Sequence, residues 1–234
     1  MALKNAESED MVEVQQIELL KEDDEKQLTN SSLSNTKIEI LSEEQQIKLF
    51  EKGNEGQRVE LASYPYLSEA VQYKLAKTDN SREVKCQLAR NPSLSIAVQA
   101  ILSVDENSDV KQALASNPSL PEPFLARLMD DKNSYVQIGL AGNPSLPESF
   151  LARLMDNNNY DVQVGLAGNP SLKVSQQEEL IKQREKQGFR SSQGNSILGV
   201  AIDGVCLNLL ENPSLDEALR TRVIADLFRS IRRF

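Results

Sequence analysis

The tetrapeptide Asn-Pro-Ser-Leu occurs five times in this chain, beginning at Asn91, Asn117, Asn143, Asn169 and Asn212. The first three intervals are each 26 residues, and a fixed period of that size is typical of repeat proteins. The units that begin at Asn117 and Asn143 are identical at 20 of 26 positions. Shared amphipathic patterning alone does not require such similarity. The sequence therefore predicts a stack of repeated structural units.

A short helix is predicted to precede each tetrapeptide and to end at it, as the copy around Asn117 illustrates. Val110, Leu114 and Ala115 recur at helical spacing and form the inward stripe of a short helix. Asn117-Pro118 then ends that helix, because a residue before proline is pushed out of the α region and proline has no N–H to donate. The tetrapeptide is thus predicted to be a turn.

A second helix is predicted directly after the turn. Ser119 and Glu122 form a capping-box pattern, and Pro121 falls in the first turn, where its missing N–H costs little. The capping pattern recurs at two other copies, as Ser145 with Glu148 and Ser214 with Glu217. The apolar side chains of the new helix share one face: Phe124, Leu125, Leu128 and Met129. Each period is therefore predicted to run helix, turn, helix, loop.

The pattern V-x-x-x-L-A-x-N-P-x-L-P-x-x-x-L-x-x-L-x-x-D resembles the leucine-rich repeat variant, a bacterial relative of the HEAT-type helical repeats. The resemblance is strong over residues 61–172 and moderate over 196–228. It implies an all-α fold, a right-handed α-solenoid of about six 26-residue repeats built from α/3₁₀ or α/α pairs. Some members of that family hold an iron-sulfur cluster in a cysteine-rich segment. This chain has no such segment, so that cofactor is not implied.

The formal net charge of −9 is unevenly distributed, and acidic residues are in large excess near the N-terminus. Residues 1–40 are rich in Glu, Asp, Gln, Ser and Asn and include the acidic run Glu22–Glu25. Low hydrophobicity combined with like charge predicts a disordered acidic tail. Within the tail, Met11–Leu20 (MVEVQQIELL) has enough apolar residues to form a short helix or a docking motif.

Residues 41–234 are predicted to form the repeat domain. Leu41–Ala62 resembles a unit without its Asn-Pro, and we expect a half unit there. The interval from Asn169 to Asn212 exceeds one period, which predicts an inserted loop near residues 184–196. Residues 215–234 form an amphipathic pattern with basic residues toward the end, typical of a helix that caps the stack.

The sequence provides few groups for chemistry, with no His and only two cysteines. The usual general base is missing and no zinc pattern is present, so we expect neither an enzyme nor a bound cofactor or metal. The chain has no secretory signal and no apolar run of membrane-spanning length, so we expect a cytoplasmic protein. Gly139 and Gly165 are predicted to allow close helix packing. We expect Cys86 to be partly buried and Cys206 to be more exposed.

The leading hypothesis is a scaffold or regulator that binds another protein through its solenoid surface. The predicted contact residues are those that vary between copies, those of the insertion and those of the basic last helix: Lys85, Lys111, Gln137, Gln163, Phe189, Arg190, Arg220 and Arg222. The alternative is a HEAT-like protein that binds nucleic acid, which the net negative charge disfavours. A cationic groove would favour nucleic acid, and a mixed or apolar surface would favour protein. An enzyme would require polar side chains from several repeats in one pocket.

Overall fold

The computed structural model describes residues 41–187, 196–197, 200–201 and 204–231, and these residues form an all-α fold. The first seven helices are α1 Glu43–Lys52, α2 Glu55–Ala62, α3 Glu69–Thr78, α4 Arg82–Arg90, α5 Ile96–Leu102, α6 Ser108–Ala115 and α7 Glu122–Met129. The remaining elements are α8 Ser134–Ala141, α9 Glu148–Met155, α10 Tyr160–Ala167, α11 Val174–Gln187, the strands β1 Ser196–Ile197 and β2 Val200–Ala201, α12 Gly204–Glu211 and α13 Glu217–Ile231.

The predicted order of helix, turn, helix and loop is confirmed. The odd-numbered helices, called the first helices here, follow the turns, and the even-numbered second helices follow the loops. Each of α4, α6, α8, α10 and α12 packs against the second helix before it, starting from α2. Contacts between first helices are sparser beyond α5. The leucine of every tetrapeptide is buried in the core between the two rows: Leu94, Leu120, Leu146, Leu172 and Leu215.

A ladder of buried asparagines runs through the turns. Asn143 donates from Nδ2 to the carbonyl oxygens of Ala115, at 2.7 Å, and Asn117, at 2.9 Å. Its Oδ1 accepts from the N–H of Ser145 at 2.8 Å. The same three bonds recur at Asn91, Asn117, Asn169 and Asn212. The first step uses Tyr64 as the acceptor in place of an asparagine. Each turn is therefore bonded to the turn one repeat earlier.

The predicted capping boxes are wrong. α7 begins after Pro121 and α9 after Pro147, and neither helix has a side-chain cap. The N–H groups of Ser119 and Ser145 bond to the tetrapeptide asparagines, so these serines belong to the turn. At α13 the cap is Asp216, whose Oδ1 accepts from two N–H groups. The helices begin later than the pattern predicts because the asparagine turn occupies the serine.

Glutamines on several first helices form a second series of bonds between units. Gln72 donates to the carbonyl oxygens of Leu67 and Ser93, and its Oε1 accepts from the N–H of Ser95 at 2.8 Å. Gln46 makes the equivalent bonds one unit earlier. These amides bridge from one first helix to the start of the next. They provide hydrogen-bond partners for backbone carbonyl and N–H groups that would otherwise be buried without one.

This second series fails at Gln99. Its Nε2 bonds to the carbonyl of Leu94, but its buried Oε1 has no hydrogen-bond partner among the described residues. The residue that corresponds to Ser95 in the next unit is Pro121, which has no N–H to donate. The two following first helices carry Leu125 and Leu151 at the glutamine position, both buried. Leu125 also precedes a proline, Pro147, so leucine is compatible with a unit in that position.

Gln99→Leu removes a buried acceptor that has no donor, but it also removes the bond from Nε2 to the carbonyl of Leu94. We expect these effects to offset, so the free energy of unfolding should stay within about 1 kcal/mol of the wild type in urea denaturation. The matched control is Gln72→Leu, which removes three satisfied bonds, leaves the N–H of Ser95 without its acceptor and should cost about 1–3 kcal/mol. An equal loss for the two variants would contradict this account of the orphan oxygen.

The two ends of the repeat array differ from its middle units. The expected half unit at the front contains two helices, α1 and α2, and among the described residues α13 is not followed by a second helix. The segment near 184–196 is partly helical, since α11 runs to Gln187, and β1 and β2 pair as an antiparallel ribbon before α12. The tail at residues 1–40 lies outside the described residues. No described helix has the length and apolar character that a membrane crossing requires.

Candidate interaction surface

Two predicted contact residues, Lys85 and Lys111, form ion pairs within the repeat array. Lys85 Nζ lies 3.2 Å from Asp105 Oδ2, and Lys111 Nζ lies 2.5 Å from Asp131 Oδ2. Each lysine lies on a second helix, and each aspartate lies in the loop that enters the next second helix. The hydrogen bond from Lys111 is the main cause that lowers the pKa of Asp131. These lysines therefore bond to the adjacent unit of their own chain.

The next two predicted contact residues, Gln137 and Gln163, occupy the same repeat position as the lysines but carry no charge. Gln137 accepts at Oε1 from Asn157 Nδ2 at 2.7 Å, in the position of the lysine-aspartate pairs. The copies thus change both partners together, from Lys with Asp to Gln with Asn. Gln163 is 1% exposed and donates to the carbonyl of Asn157. Because Gln163 is buried, we remove it from the candidate contact residues.

The remaining predicted contact residues are distributed between two places. Phe189 and Arg190 lie outside the described residues. Arg220 donates from Nη1 to the carbonyl of Leu210 at 2.7 Å, which ties α13 to the end of α12. Arg222 lies on the same helix and is partly buried. The predicted residues within the described ranges therefore lie in two places, on the second helices and on α13.

The second helices do not present a continuous cationic groove. Arg82 Nη1 lies 2.6 Å from Asp109 Oδ2, in addition to the pairs of Lys85 and Lys111. Each of these three cations faces a carboxylate of the adjacent unit. A phosphate backbone would have to compete with those carboxylates. The arrangement gives no support to the nucleic-acid alternative.

Both cysteines are buried and neither forms a disulfide. Burial is the main cause that raises the pKa of the Cys86 thiol, so this group stays protonated near neutral pH. Partial burial of Cys86 was expected, but the expected exposure of Cys206 is wrong, because it occupies the inward position of Gln163 on α12. Among the described residues, no three His, Cys, Asp or Glu side chains are grouped to hold a metal ion.

Exposed apolar side chains lie on and next to α5, which contains no charged residue, unlike the other first helices in the described part of the chain. Ile96 is 69% exposed and Val104, just after the helix, is 63% exposed. Ile101 is partly buried and packs against the core, and Tyr73 on the adjacent α3 is 51% exposed. We call these four residues the α5 patch. Large apolar side chains that are exposed and contiguous mark interaction sites more often than scattered ones do.

Other first helices carry charges at the same repeat positions. Ile96 corresponds to the glutamates Glu69, Glu122 and Glu148. Ile101 corresponds to the cations Lys74, Arg127 and Arg153. Val104 corresponds to the charged residues Lys77, Asp130 and Asp156. The chain itself therefore indicates what a solvated first helix looks like at these positions. α5 departs from that pattern at all three.

Because α5 has apolar residues where other first helices have charged ones, two cations on the adjacent first helices lack acidic partners among the described residues. Along the first helices, a cation pairs with an acidic residue of the preceding unit, as in Lys74 with Glu51 at 3.5 Å and Arg153 with Asp130 at 2.9 Å. Val104 takes the acidic position opposite Arg127, which instead donates to Ser103 Oγ at 3.3 Å. No carboxylate pairs with Arg127 or with the exposed Lys77 in the described part of the chain. The patch is thus flanked by two cations without anionic partners.

Sequence reasoning missed the α5 patch, although the sequence contains the signal. Aligning the first helices by their tetrapeptides places Ile96, Ile101 and Val104 in columns that are otherwise mostly charged. Comparison with known proteins adds nothing further: no family model, no curated protein and no solved structure matches this chain. The resemblance to leucine-rich repeat variants therefore remains an expectation from the motif.

Proposed function

We propose that this chain is an α-solenoid that binds another protein and catalyses no reaction. The contacts between successive second helices and the asparagine ladder support a solenoid, because each unit contacts mainly its neighbours. We count six helix pairs and a terminal helix among the described residues. The right-handed turn and the cytoplasmic location are expectations from the sequence.

The observation that carries the proposal is the exposed apolar α5 patch in a row of otherwise charged first helices. Burying a side chain such as Ile96 or Val104 at an interface contributes about 1.5–3 kcal/mol. Lys77 and Arg127, which have no carboxylate partner in the described structure, add a preference for carboxylates. The patch therefore fits an amphipathic segment of a partner protein that presents apolar residues together with acidic ones.

The test is quantitative affinity capture with the full chain and with the variant I96E/I101R/V104D. Each new residue is the one present at the same position of α7 and α9, so the variant should remain folded. We expect the wild type to recover a protein partner stoichiometrically and the variant to lose at least about tenfold in affinity, which corresponds to 1.4 kcal/mol.

The matched control is Val174→Glu on α11, at the repeat position of Ile96. Val174 is 45% exposed, and the substitution adds the same charge to another first helix. Capture by this control should equal that of the wild type. Equal capture by the α5 variant, or binding of nucleic acid with a steep salt dependence in place of a protein, would contradict the proposed function.

A further inference from the structure

We infer that the α5 patch binds residues 11–20 of the same chain, so that the N-terminal segment competes with the partner. This inference rests on the proposed function of the patch as a docking surface. It concerns the regulation of that surface. Three properties support it: the chemistry of the segment, the charges beside the patch, and the length of chain between the two.

The segment Met11–Leu20 has the composition that the patch selects. It contains six large apolar residues within ten: Met11, Val12, Val14, Ile17, Leu19 and Leu20. Its four other residues are polar or acidic, with Glu13 and Glu18 interleaved among the apolar ones. No other part of residues 1–40 combines apolar residues at this density. The segment can therefore supply apolar contacts for Ile96, Ile101 and Val104.

The charges on either side of the segment complement those beside the patch. Asp10 precedes it, and Lys21 and then the acidic run Glu22–Glu25 follow it. Lys77 and Arg127 flank the patch on α3 and α7 and have no carboxylate partner in the described structure. Carboxylates from the segment would complete the row of inter-unit ion pairs that is broken at α5. Such exposed pairs contribute modestly and mainly select the partner.

The connecting chain is long enough for this contact. Residues 21–40 join the segment to Leu41, which precedes α1. A chain of about 20 residues spans at most about 66–72 Å when fully extended. α5 lies two first helices beyond α1, or about 20 Å away at the usual helix spacing of about 8–10 Å. The 20 intervening residues therefore suffice to reach α5, and a contact within one chain benefits from a high effective concentration.

The experiment places a photocrosslinking residue, p-benzoyl-phenylalanine, at Ile17 of the full chain. We expect crosslinks within the monomer to peptides that contain residues 73–104, identified by mass spectrometry. The variant I96E/I101R/V104D should reduce that crosslink at least about fivefold, and Val174→Glu should leave it unchanged. Crosslinks mainly to other surfaces, crosslinks between two chains, or equal yield in the α5 variant would overturn the inference.

A second measurement separates this inference from the proposed function. Ile17→Glu removes an apolar contact of the segment and leaves the patch intact, so partner capture should rise several-fold. If capture depends on α5 but is unchanged by Ile17→Glu and no intramolecular crosslink forms, the self-contact is wrong and the docking function stands. If the crosslink forms but capture does not depend on α5, the docking function is wrong.

Discussion

Asn143→Asp is expected to lower the free energy of unfolding by at least about 3 kcal/mol. The change keeps the shape of the side chain but replaces an N–H donor with oxygen, opposite the carbonyl oxygens of Ala115 and Asn117. The residue is fully buried, so water cannot compensate the lost bonds or the added charge. The measurement is urea denaturation followed by helical circular dichroism.

The shape of the unfolding transition gives a further expectation for Asn143→Asp. Because repeats interact mainly with their neighbours, loss of one rung should uncouple the units on its two sides and broaden the transition. Ser145→Ala is the control, since Ser145 contributes its backbone N–H to the ladder and its side chain is exposed. It should stay within about 0.5 kcal/mol of the wild type. A loss below about 1 kcal/mol for Asn143→Asp would contradict the ladder's role in coupling units.

The repeat sequence predicts the helices well and the asparagine ladder poorly, and the reason is distance along the chain. Helix ends at Asn117-Pro118 follow from local sterics, which a short window contains. The bonds from Asn143 to Ala115 and Asn117 form only after units stack, across 28 and 26 residues. Local reasoning also assigns Ser119 to a capping box, because it does not include the Asx-type turn that uses its N–H.

The candidate site was only partly predictable for a related reason. Variation at Lys85, Lys111 and Gln137 indicated exposure when one column of the repeat was considered. The opposing column varies with it, from Asp131 to Asn157, so the pair conserves hydrogen bonding while its charge changes. When two repeat positions change together in this way, the change indicates that their side chains contact each other within the chain. The uncompensated changes on α5 leave Lys77 and Arg127 without acidic partners in the described structure.

Rigidity and exposure have separate origins in this fold. The second helices and the turns are coupled by buried amides and close packing, as at Asn143 and Gly139. The first helices contact each other less densely beyond α5, and their surface positions tolerate Glu, Arg, Ile or Val. The outer surface can therefore change its partner chemistry while the array keeps its geometry. This separation explains why I96E/I101R/V104D is a fair test of binding.

The close packing of α6 against α8 gives the second large expectation, for Gly139→Ala. An alanine Cβ at this position would lie 2.5 Å from the carbonyl oxygen of Gln112 and 3.0 Å from Ala115 Cβ. The nearest atom belongs to the backbone, so the two helices must separate. Alanine favours a helix over glycine by about 1 kcal/mol, but overpacking typically costs about 1–3 kcal/mol or more. Because the contacted atom is backbone, we place the overpacking cost at the upper end of this range, about 3 kcal/mol, and expect a net loss of about 2 kcal/mol.

Gly142→Ala is the matched control, three residues along the same chain segment. Its nearest atom to the new Cβ would be Ile138 O at 3.8 Å, and its φ of −82° suits any residue. Other units carry Arg90, Ser116 and Glu211 at this position. We expect a gain of about 0.4–1 kcal/mol through the unfolded state. Thermal and urea unfolding should thus give opposite signs for the two glycines, and a gain at Gly139 would mean that α6 and α8 do not pack this closely.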